Sequence, residues 1–483
     1  MLNIGLLVDS VHSDRYVEEL VLWARREPDL RISHLIVQPG GPPKATFAFE
    51  RFLLRWSNAH HDHYALRDLR GLVEHIVEAE NARSLELDLL IACGRERPSE
   101  ALLAASRLGA IAFHHEQQGW AGFWECYRRE AQTQFVIRRL AAGGDQVLAR
   151  GAFKTHFYYS LNQAHIHKKA VSHLKRLLKK LAAAGELPAP QHAQAAGAAP
   201  GMAHCMLYGG KLACRILLKA IARLPMFRQR FGVSLVPEKW DQPIRWRGGG
   251  IPGGRYWADP FLHARGGRTF CFVEDLDART KRGQISALEL VGGELVERGI
   301  AVKEPFHLSF PFLFEYQGEL YMCPESCEAR EIRLYRCTDF PLKWRLEKTL
   351  MRGVSAADSL LFEKAGRWWM LTSIDQAETG DHCSELYLFS ADSPLSTSWT
   401  PHRQNPILVD SIGGRNGGLI REGERLYRLG QRQGFDRYGE SLGVYEIKEI
   451  SESRYTEELV RICRTHHLST DGRATAFDHA WGL

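Results

Sequence analysis

The sequence predicts two folds joined in one chain: an open, mostly parallel α/β domain followed by an all-β five-bladed propeller. Three observations carry this. Apolar β-branched runs alternate with helical patterns up to about residue 183. An Ala/Pro/Gly-rich stretch then interrupts the chain. Beyond about residue 231, a unit of short strands, aromatic pairs and Gly turns repeats along the sequence.

In the first domain, Asn3–Val8, Ile32–Val37 and Leu87–Ala92 read as buried strands, and Ala110–His114 as a shorter one. Tyr16–Arg25, Leu69–Arg83 and Pro98–Leu108 read as the helices between them. Continuous apolar strands alternating with helices imply a sheet covered on both faces. Residues 184–204 hold only one charged side chain, Glu186, and read as a linker. Two basic helical stretches flank it. Ile166–Lys180 carries Lys168, Lys169, Lys175, Arg176, Lys179 and Lys180. The second, within 205–230, carries Lys211, Arg215, Lys219, Arg223, Arg228 and Arg230, with a stripe of Leu212, Ile216, Leu217, Ala220, Ile221 and Leu224. The plain reading packs that stripe on a domain. The sharper one rests a basic amphipathic helix on an anionic inner leaflet, with salt-sensitive binding.

The propeller follows from stacking the repeats. WADPFLHARGGRTFCFVED begins at Trp257, LSFPFLFEYQGELYMCPES at Leu308, AADSLLFEKAGRWWMLTS at Ala356 and GRNGGLIREGERLYRLGQ at Gly414. Aligning Asp259, Phe310, Asp358 and Asn416 gives steps of 51, 48 and 58 residues. A further alternating strand completes each unit: Gln284–Leu290, Glu331–Cys337, Glu385–Ser390 and Ser441–Ile447. Such periods indicate four-stranded blades. Gly232–Trp246 and Ala474–Trp481 remain as halves of a fifth, closing blade.

Composition excludes several classes. The chain has 483 residues, 45% hydrophobic and 25% charged, so it is neither disordered nor fibrous. A net charge of +6 is too mild for a nucleic-acid binder. No apolar run approaches the roughly 20 residues of a membrane span, and the N-terminus MLNIGLLVDS reads as a strand rather than a signal peptide. Ten scattered cysteines without a C-x-x-C pair point to a reduced, cytoplasmic chain. His60, His61, Asp62 and His63 form a tempting cluster, but no second cluster stands at ligand spacing, so no metal is expected.

The run GAIAFHHEQQGWAGFWE, residues 109–125, follows a strand and enters a loop, where open α/β sheets place sites. With GDQVLARGAFKT at 144–155, it resembles the formyltransferase fold of methionyl-tRNA and sugar-amine formyltransferases, over about residues 1–183. The resemblance puts His114 on the family's catalytic histidine. The Asn of that motif is Ala112 here, and the later Asp falls near Gly143 or Asp145. Loss of an oxyanion-binding amide costs on the order of 10²–10³ in rate. A degenerate scaffold is therefore expected, with 10-formyltetrahydrofolate as cofactor only if the domain is active, and with Asn162 as a substitute amide.

WADPF (257–261), HLSFPFLFE (307–315), YMCPES (321–326) and PHRQNPI (401–407) resemble the N-terminal module of plant glucosamine inositolphosphorylceramide transferases and related bacterial proteins, over 231–483. The architecture also resembles arabinanases and β-xylosidases, where three channel-facing carboxylates act as base, pKa modulator and acid. By that resemblance Asp259 is the base and Asp358 the modulator. Arg415–Asn416 fill the acid's place, and Glu325 is the carboxylate able to restore it. A cation on the leaving-group side suits transfer from a phosphate-linked donor. Arg415, His307, Glu274, Trp257 and Gln431 are the expected substrate contacts. The plainer reading of Asp259 and Asp358 as strand caps predicts Asp in all four repeats, and only two have it.

The leading function is a carbohydrate-active transferase for bacterial surface polysaccharide or glycolipid synthesis. It would use a nucleotide-sugar or lipid-linked sugar phosphate and a glycan or glycolipid acceptor, in the cytoplasm or peripherally at the inner membrane. The alternatives are a non-catalytic glycan-binding scaffold for a partner glycosyltransferase, and a five-bladed glycosidase.

Overall fold

The structure, a computed structural model, describes residues 1–40, 50, 65–94, 96–112, 120–141, 144–189, 198–222, 230–236, 240–241 and 254–481. The chain forms two compact units, Met1–Arg215 and Ile216–Leu483.

The first unit is built on a seven-stranded sheet. Its strands are β1 (Leu2–Val8), β3 (Leu30–Val37), β5 (His75–Glu78), β6 (Leu89–Ala92), β7 (Ala110–Ala112), β8 (Gln132–Leu140) and β9 (Gln146–Lys154). β2 (His12–Asp14) and β4 (Leu66–Asp68) pair separately as a small ribbon. The sheet order is β5-β3-β1-β6-β7-β8-β9, parallel from β5 to β7 and antiparallel thereafter. Helices are α1 (Arg15–Ala24), α2 (Glu100–Ala104), α3 (Phe123–Arg128) and α4 (Tyr159–Ala184). The central strand β1 is buried almost throughout, as its unbroken apolar run requires.

Two expected helices are corrected. Within 69–83, Gly71 turns at φ 73°, and the β-branched pair Ile76–Val77 then joins the sheet edge as β5, followed by a 3-10 turn over Ala79–Ser84. The helix expected over 98–108 contracts to α2, capped by Ser99, whose hydroxyl accepts from the Leu102 amide at 3.4 Å.

The basic helices also turn out differently. In α4, Lys169 is buried, and Lys175 and Lys179 lie over the Trp23 ring at 5.6 and 5.8 Å. In α5 (Met202–Ala222), Lys211 donates to the Tyr127 carbonyl at 3.2 Å, and Arg215 to those of Phe157 and Cys126 at 3.0 and 3.3 Å. Its cations therefore face the protein. Of the expected apolar stripe Leu212 is buried, but Leu217 stands exposed beside Met202, Met206, Leu207 and Leu218. Backbone carbonyls left open at the ends of α3 and β9 attract the cations, which reverses the amphipathic reading. Leu224, Arg223 and Arg228 lie outside the described residues. No described helix is long and apolar enough to cross a membrane.

The second unit is the propeller. Blade one is β11 (Arg255–Arg265), β12 (Arg268–Asp277), β13 (Arg282–Val291) and β14 (Glu294–Val302). Blade two is β15 (Ser309–Tyr316), β16 (Glu319–Glu325), β17 (Glu331–Asp339) and β18 (Lys343–Arg352). Blade three is β19 (Ala356–Lys364), β20 (Arg367–Ile374) and β21 (Glu385–Ala391), edged by the short β22 (Thr400–Pro401) and β23 (Leu408–Val409). Blade four is β24 (Arg415–Glu422), β25 (Arg425–Gly434), β26 (Arg437–Ile450) and β27 (Tyr455–Cys463). The closing blade pairs β10 (Arg230–Val236) with the final strand β29 (Thr475–Trp481), as the sequence predicts, and adds an unforeseen inner strand, β28 (Leu468–Thr470). This last strand is only three residues long and shows no alternation of its own.

Large aromatics lock neighbouring blades. Phe272 of blade one packs against Phe340 and Trp344 of blade two, with ring centroids 6.1 and 5.7 Å away. Phe272 is fully buried. Phe272→Ala is expected to cost about 3–5 kcal/mol, the usual range for emptying a packed aromatic site, read as a lower midpoint in denaturant unfolding.

Candidate functional site at the propeller channel

The repeat places the site. The inner strand of each full blade shifts register at one equivalent point: Ala258/Phe261, Ser309/Phe312, Ala357/Leu360 and Asn416/Gly418. Asp259, Phe310 and Asp358 occupy these bulges with φ of 48°, 47° and 50°, and blade four meets the same demand with Gly418 at 129°. A left-handed residue inside a strand re-aims its side chain. Aspartate tolerates that conformation better than most residues, whereas phenylalanine is an outlier there. Phe310 offsets the strain by complete burial against Phe261 and His467, at 4.9 and 5.4 Å. Blades one and three thus present carboxylates where blade two presents a ring.

Arg415 unites three blades. Its Nε donates to Asp358 Oδ2 at 2.6 Å, and its Nη2 reaches Asp358 Oδ1 at 3.2 Å and Glu325 Oε2 at 2.9 Å. Glu325 also accepts from the Cys327 thiol at 3.0 Å. Burial alone would raise Glu325, but the Arg415 guanidinium and hydrogen bonds from Asp358 and Cys327 outweigh it and hold the carboxyl at about 2. Arg415 spends its charge on these two partners and stacks over Tyr438 at 5.3 Å. Arg415 thus ties the two carboxyl groups together through Nε and Nη2, and Nη1 takes no part in these bonds.

Asp259 belongs to a second group, shared with the closing blade. Its amide donates to Asp478 Oδ2 at 3.2 Å. His466 Nδ1 lies 3.0 Å from that same oxygen and 3.7 Å from Asp259 Oδ1. The His467 amide donates to Asp478 Oδ1 at 2.8 Å. Burial is the main force raising Asp259 to about 6; Asp478 and Glu325 add to it, while His466 and Arg415 oppose. Asp259 Oδ1, though buried, has no hydrogen-bond partner. One atom from each of Asp259, His466 and Asp478 lies within 4.8 Å of the others. Such spacing would admit a cation, but flanking carboxylates favour a proton on Nδ1, so the trio is an ion-paired cluster.

Glu274 and His307 complete the mouth. His307 Nδ1 accepts from the Gly283 amide at 2.9 Å, which puts its proton on Nε2, 3.3 Å from Glu274 Oε1. A Cβ on Gly283 would stand 2.4 Å from the Leu308 carbonyl and 2.8 Å from the His307 ring, so only glycine admits this pair. Glu274 is raised well above the usual carboxylate range, first by burial and then by Asp259, Glu325 and Asp478. The cluster thus brings together two carboxyl groups raised by burial, Asp259 and Glu274, and the Arg415 cation, a combination able to support acid–base chemistry.

Two expected contacts fall elsewhere or outside. Trp257 packs in the apolar core with Val233, Cys271, Val273 and Ala476 and cannot stack on a sugar. It faces away because alternation along β11 sends it to the blade interior. Gln431 lies directly across from Arg415 on β25, buried, with its carboxamide oxygen unpartnered. His114 lies outside the described residues, as do His60, His61, Asp62, His63 and Gly143. Ala112 ends β7 with no polar group, Asp145 is paired with Arg97 at 2.8 Å, and Asn162 is consumed by Gly122, Thr133 and the His156 amide. His466, Asp478 and Tyr438 escaped the sequence reading. The one available signal was the polar THH segment before β28, which mimics the polar start of the other repeats.

Arg415→Ala would leave the Glu325 carboxylate buried without its cation and is expected to cost about 3–5 kcal/mol at neutral pH. Glu325 is depressed below its ordinary 4.5, so the stability it lends is present above that value and fades as pH falls through about 2. Denaturant unfolding should therefore show the wild-type advantage over Arg415→Ala narrowing between pH 5 and pH 2.

Residues 249–477 match the family described as glucosamine inositolphosphorylceramide transferase 1, N-terminal. The chain is 38% identical over 214 residues to glucosamine inositolphosphorylceramide transferase 1 of Arabidopsis thaliana, covering 43% of this chain and 27% of that protein. Identity to the protein of the same name from Oryza sativa subsp. japonica is 40% over 220 residues, or 44% and 29% of the two chains. The chain thus spans less than a third of the length of these relatives. Among solved structures, a family 117 glycoside hydrolase of Zobellia galactanivorans superposes with TM-score 0.36 at 12% identity, over 52% of this chain and 90% of that one. The Cellvibrio cellulosa alpha-L-arabinanase gives 0.33 at 10%, over 42% and 77%. Residues 249–477, which hold the four full blades, are thus similar to the N-terminal region of glucosamine inositolphosphorylceramide transferase 1.

Proposed function

We propose that the chain is a carbohydrate-active transferase of bacterial surface polysaccharide or glycolipid synthesis, with its sugar site at the propeller channel mouth. The observation that carries this reading is the convergence of Asp259 and Asp358, from equivalent bulges of blades one and three, around Arg415 and Glu325. The relatives' shared name supports it: it couples a sugar, glucosamine, to a sphingolipid acceptor. In the proposed reaction Asp259 takes the proton of the acceptor hydroxyl as that oxygen bonds to the anomeric carbon. The donor's leaving group, a nucleotide or lipid phosphate, departs with the electron pair. His307 and Gln431 hold the sugar's hydroxyls. The α/β unit acts as a formyltransferase-like scaffold, and the exposed apolar side of α5 rests peripherally on the inner membrane.

Glycoside cleavage is the second reading, and Glu274 favours it. A carboxyl raised well above its usual range, as Glu274 is by burial, suits a poor alkoxide leaving group, which needs a proton donor.

A panel of nucleotide-sugars and lipid-linked sugar phosphates, assayed with glycolipid acceptors and by calorimetry, tests the proposal. Asp259→Asn should lower transfer by roughly 10²–10⁴-fold while donor binding stays close to wild type. Release of free sugar by the wild type would establish hydrolysis instead. Glycan binding without turnover would establish a scaffold serving a partner glycosyltransferase.

The membrane assignment has its own test. Vesicle flotation of the full chain should persist at high salt, because the outward side of α5 is apolar, and Leu217→Ser with Met206→Ser should reduce it. Flotation abolished by salt alone would return the contact to basic residues.

A further inference from the structure

We propose that His466 and Asp478 of the closing blade are positioning residues for Asp259: Asp478 clamps its left-handed backbone, and the His466 imidazolium keeps its carboxyl ionised. This deepens the proposed transferase site and rests on Asp259 being its base.

The geometry is built from one carboxylate. Asp478, fully buried on the last strand, accepts from the amides of Asp259 and His467 and from His466 Nδ1. The first of these bonds holds the backbone of a residue at φ 48°, a conformation a strand does not supply by itself. The third orients the imidazole so that Nδ1 stands between Asp478 and Asp259, 3.0 and 3.7 Å away. A proton on Nδ1 therefore meets negative charge on two sides.

The surrounding charges agree with that assignment. Blade one contributes Asp259 and Glu274, blade two Glu325, blade three Asp358, and blade four Arg415 and the Tyr438 ring, 4.9 Å from His466. His467 stays neutral, its Nε2 set against the Pro260 carbonyl at 3.1 Å. Five carboxyl groups face two cations, so several share protons, and Glu274 and Asp358 are the two raised well above the usual carboxylate range. Burial works against charging His466, but Asp478 and Asp259 overcome it. The charged ring is then the nearest cation to Asp259, and without it Asp259 would take up the proton and cease to be a base.

The experiment uses the full chain labelled with ¹³Cε1-histidine, the His466 resonance being identified by its loss in His466→Gln. The ring is expected to stay protonated above the ordinary histidine range, and to titrate about one pH unit or more lower in Asp478→Asn. A ring that is neutral at pH 6 in the wild type, or that titrates unchanged in Asp478→Asn, overturns the proposal. In the transfer assay, His466→Gln should lose about tenfold or more at pH 7, recover at higher pH, and leave KM within about threefold. Asp259→Asn should stay inactive at every pH. A wild-type pH profile in His466→Gln likewise overturns it. If no donor is turned over while His466 titrates as expected, the transferase reading fails and the positioning pair stands. Should His466→Gln not fold, Asp478→Asn carries both readouts, with the resonance identified by elimination against His467→Gln.

Discussion

Ring closure is the constraint on which the propeller depends, and one carboxylate sits at its centre. β29 brings Asp478 back beside blade one, where it bonds Asp259, His466 and His467 together. Blades stacked around an axis have no reason to meet at the correct angle unless the last engages the first. Here the engagement is polar, buried and directed at the residue proposed to perform chemistry. A disturbance of closure is then felt at the site, and a disturbance of the site loosens closure.

The mouth divides its charges between two clusters. Around Arg415, carboxyl groups of blades two and three are tied in short bonds that form a fixed frame. Around Asp259, Glu274 and His466 the balance is looser: a carboxylate oxygen lacks a hydrogen-bond partner, and the Glu274 proton is held mainly by burial. Fixed charge provides shape, and poised protons provide reactivity. The left-handed Asp259 and Asp358 show the backbone accepting strain to seat these groups, and Gly283 leaves room for the Glu274–His307 pair.

In the α/β unit the pattern differs. Candidate polar groups are satisfied internally: Asn162 by three partners and Asp145 by Arg97. Glu50 is likewise enclosed by Ser160 and Tyr208, with Ser160 N 2.6 Å away. Through Glu50 and Tyr208, α5 is tied to the start of α4, which itself packs on β8.

By itself the sequence determined the two folds, the repeat and the places of Asp259 and Asp358. Each rests on local periodicity or on spacing between equivalent residues, which the chain displays directly. It could not show which way α5 faces, because its basic residues answer to carbonyls distant in sequence. Trp257 reads equally well as a sugar platform or as core until the packing of blade one against the closing blade assigns it. The partners of Arg415 are hidden for the same reason: only the fold reveals that Asp358 and Glu325, 57 and 90 residues away, pair with it. His466 and Asp478 join the site solely because the ring closes, bringing residues more than 200 positions from Asp259 within bonding distance. Long-range electrostatics and closure were decided by tertiary structure, because the partners that set a buried group's charge are neighbours in space and not in sequence.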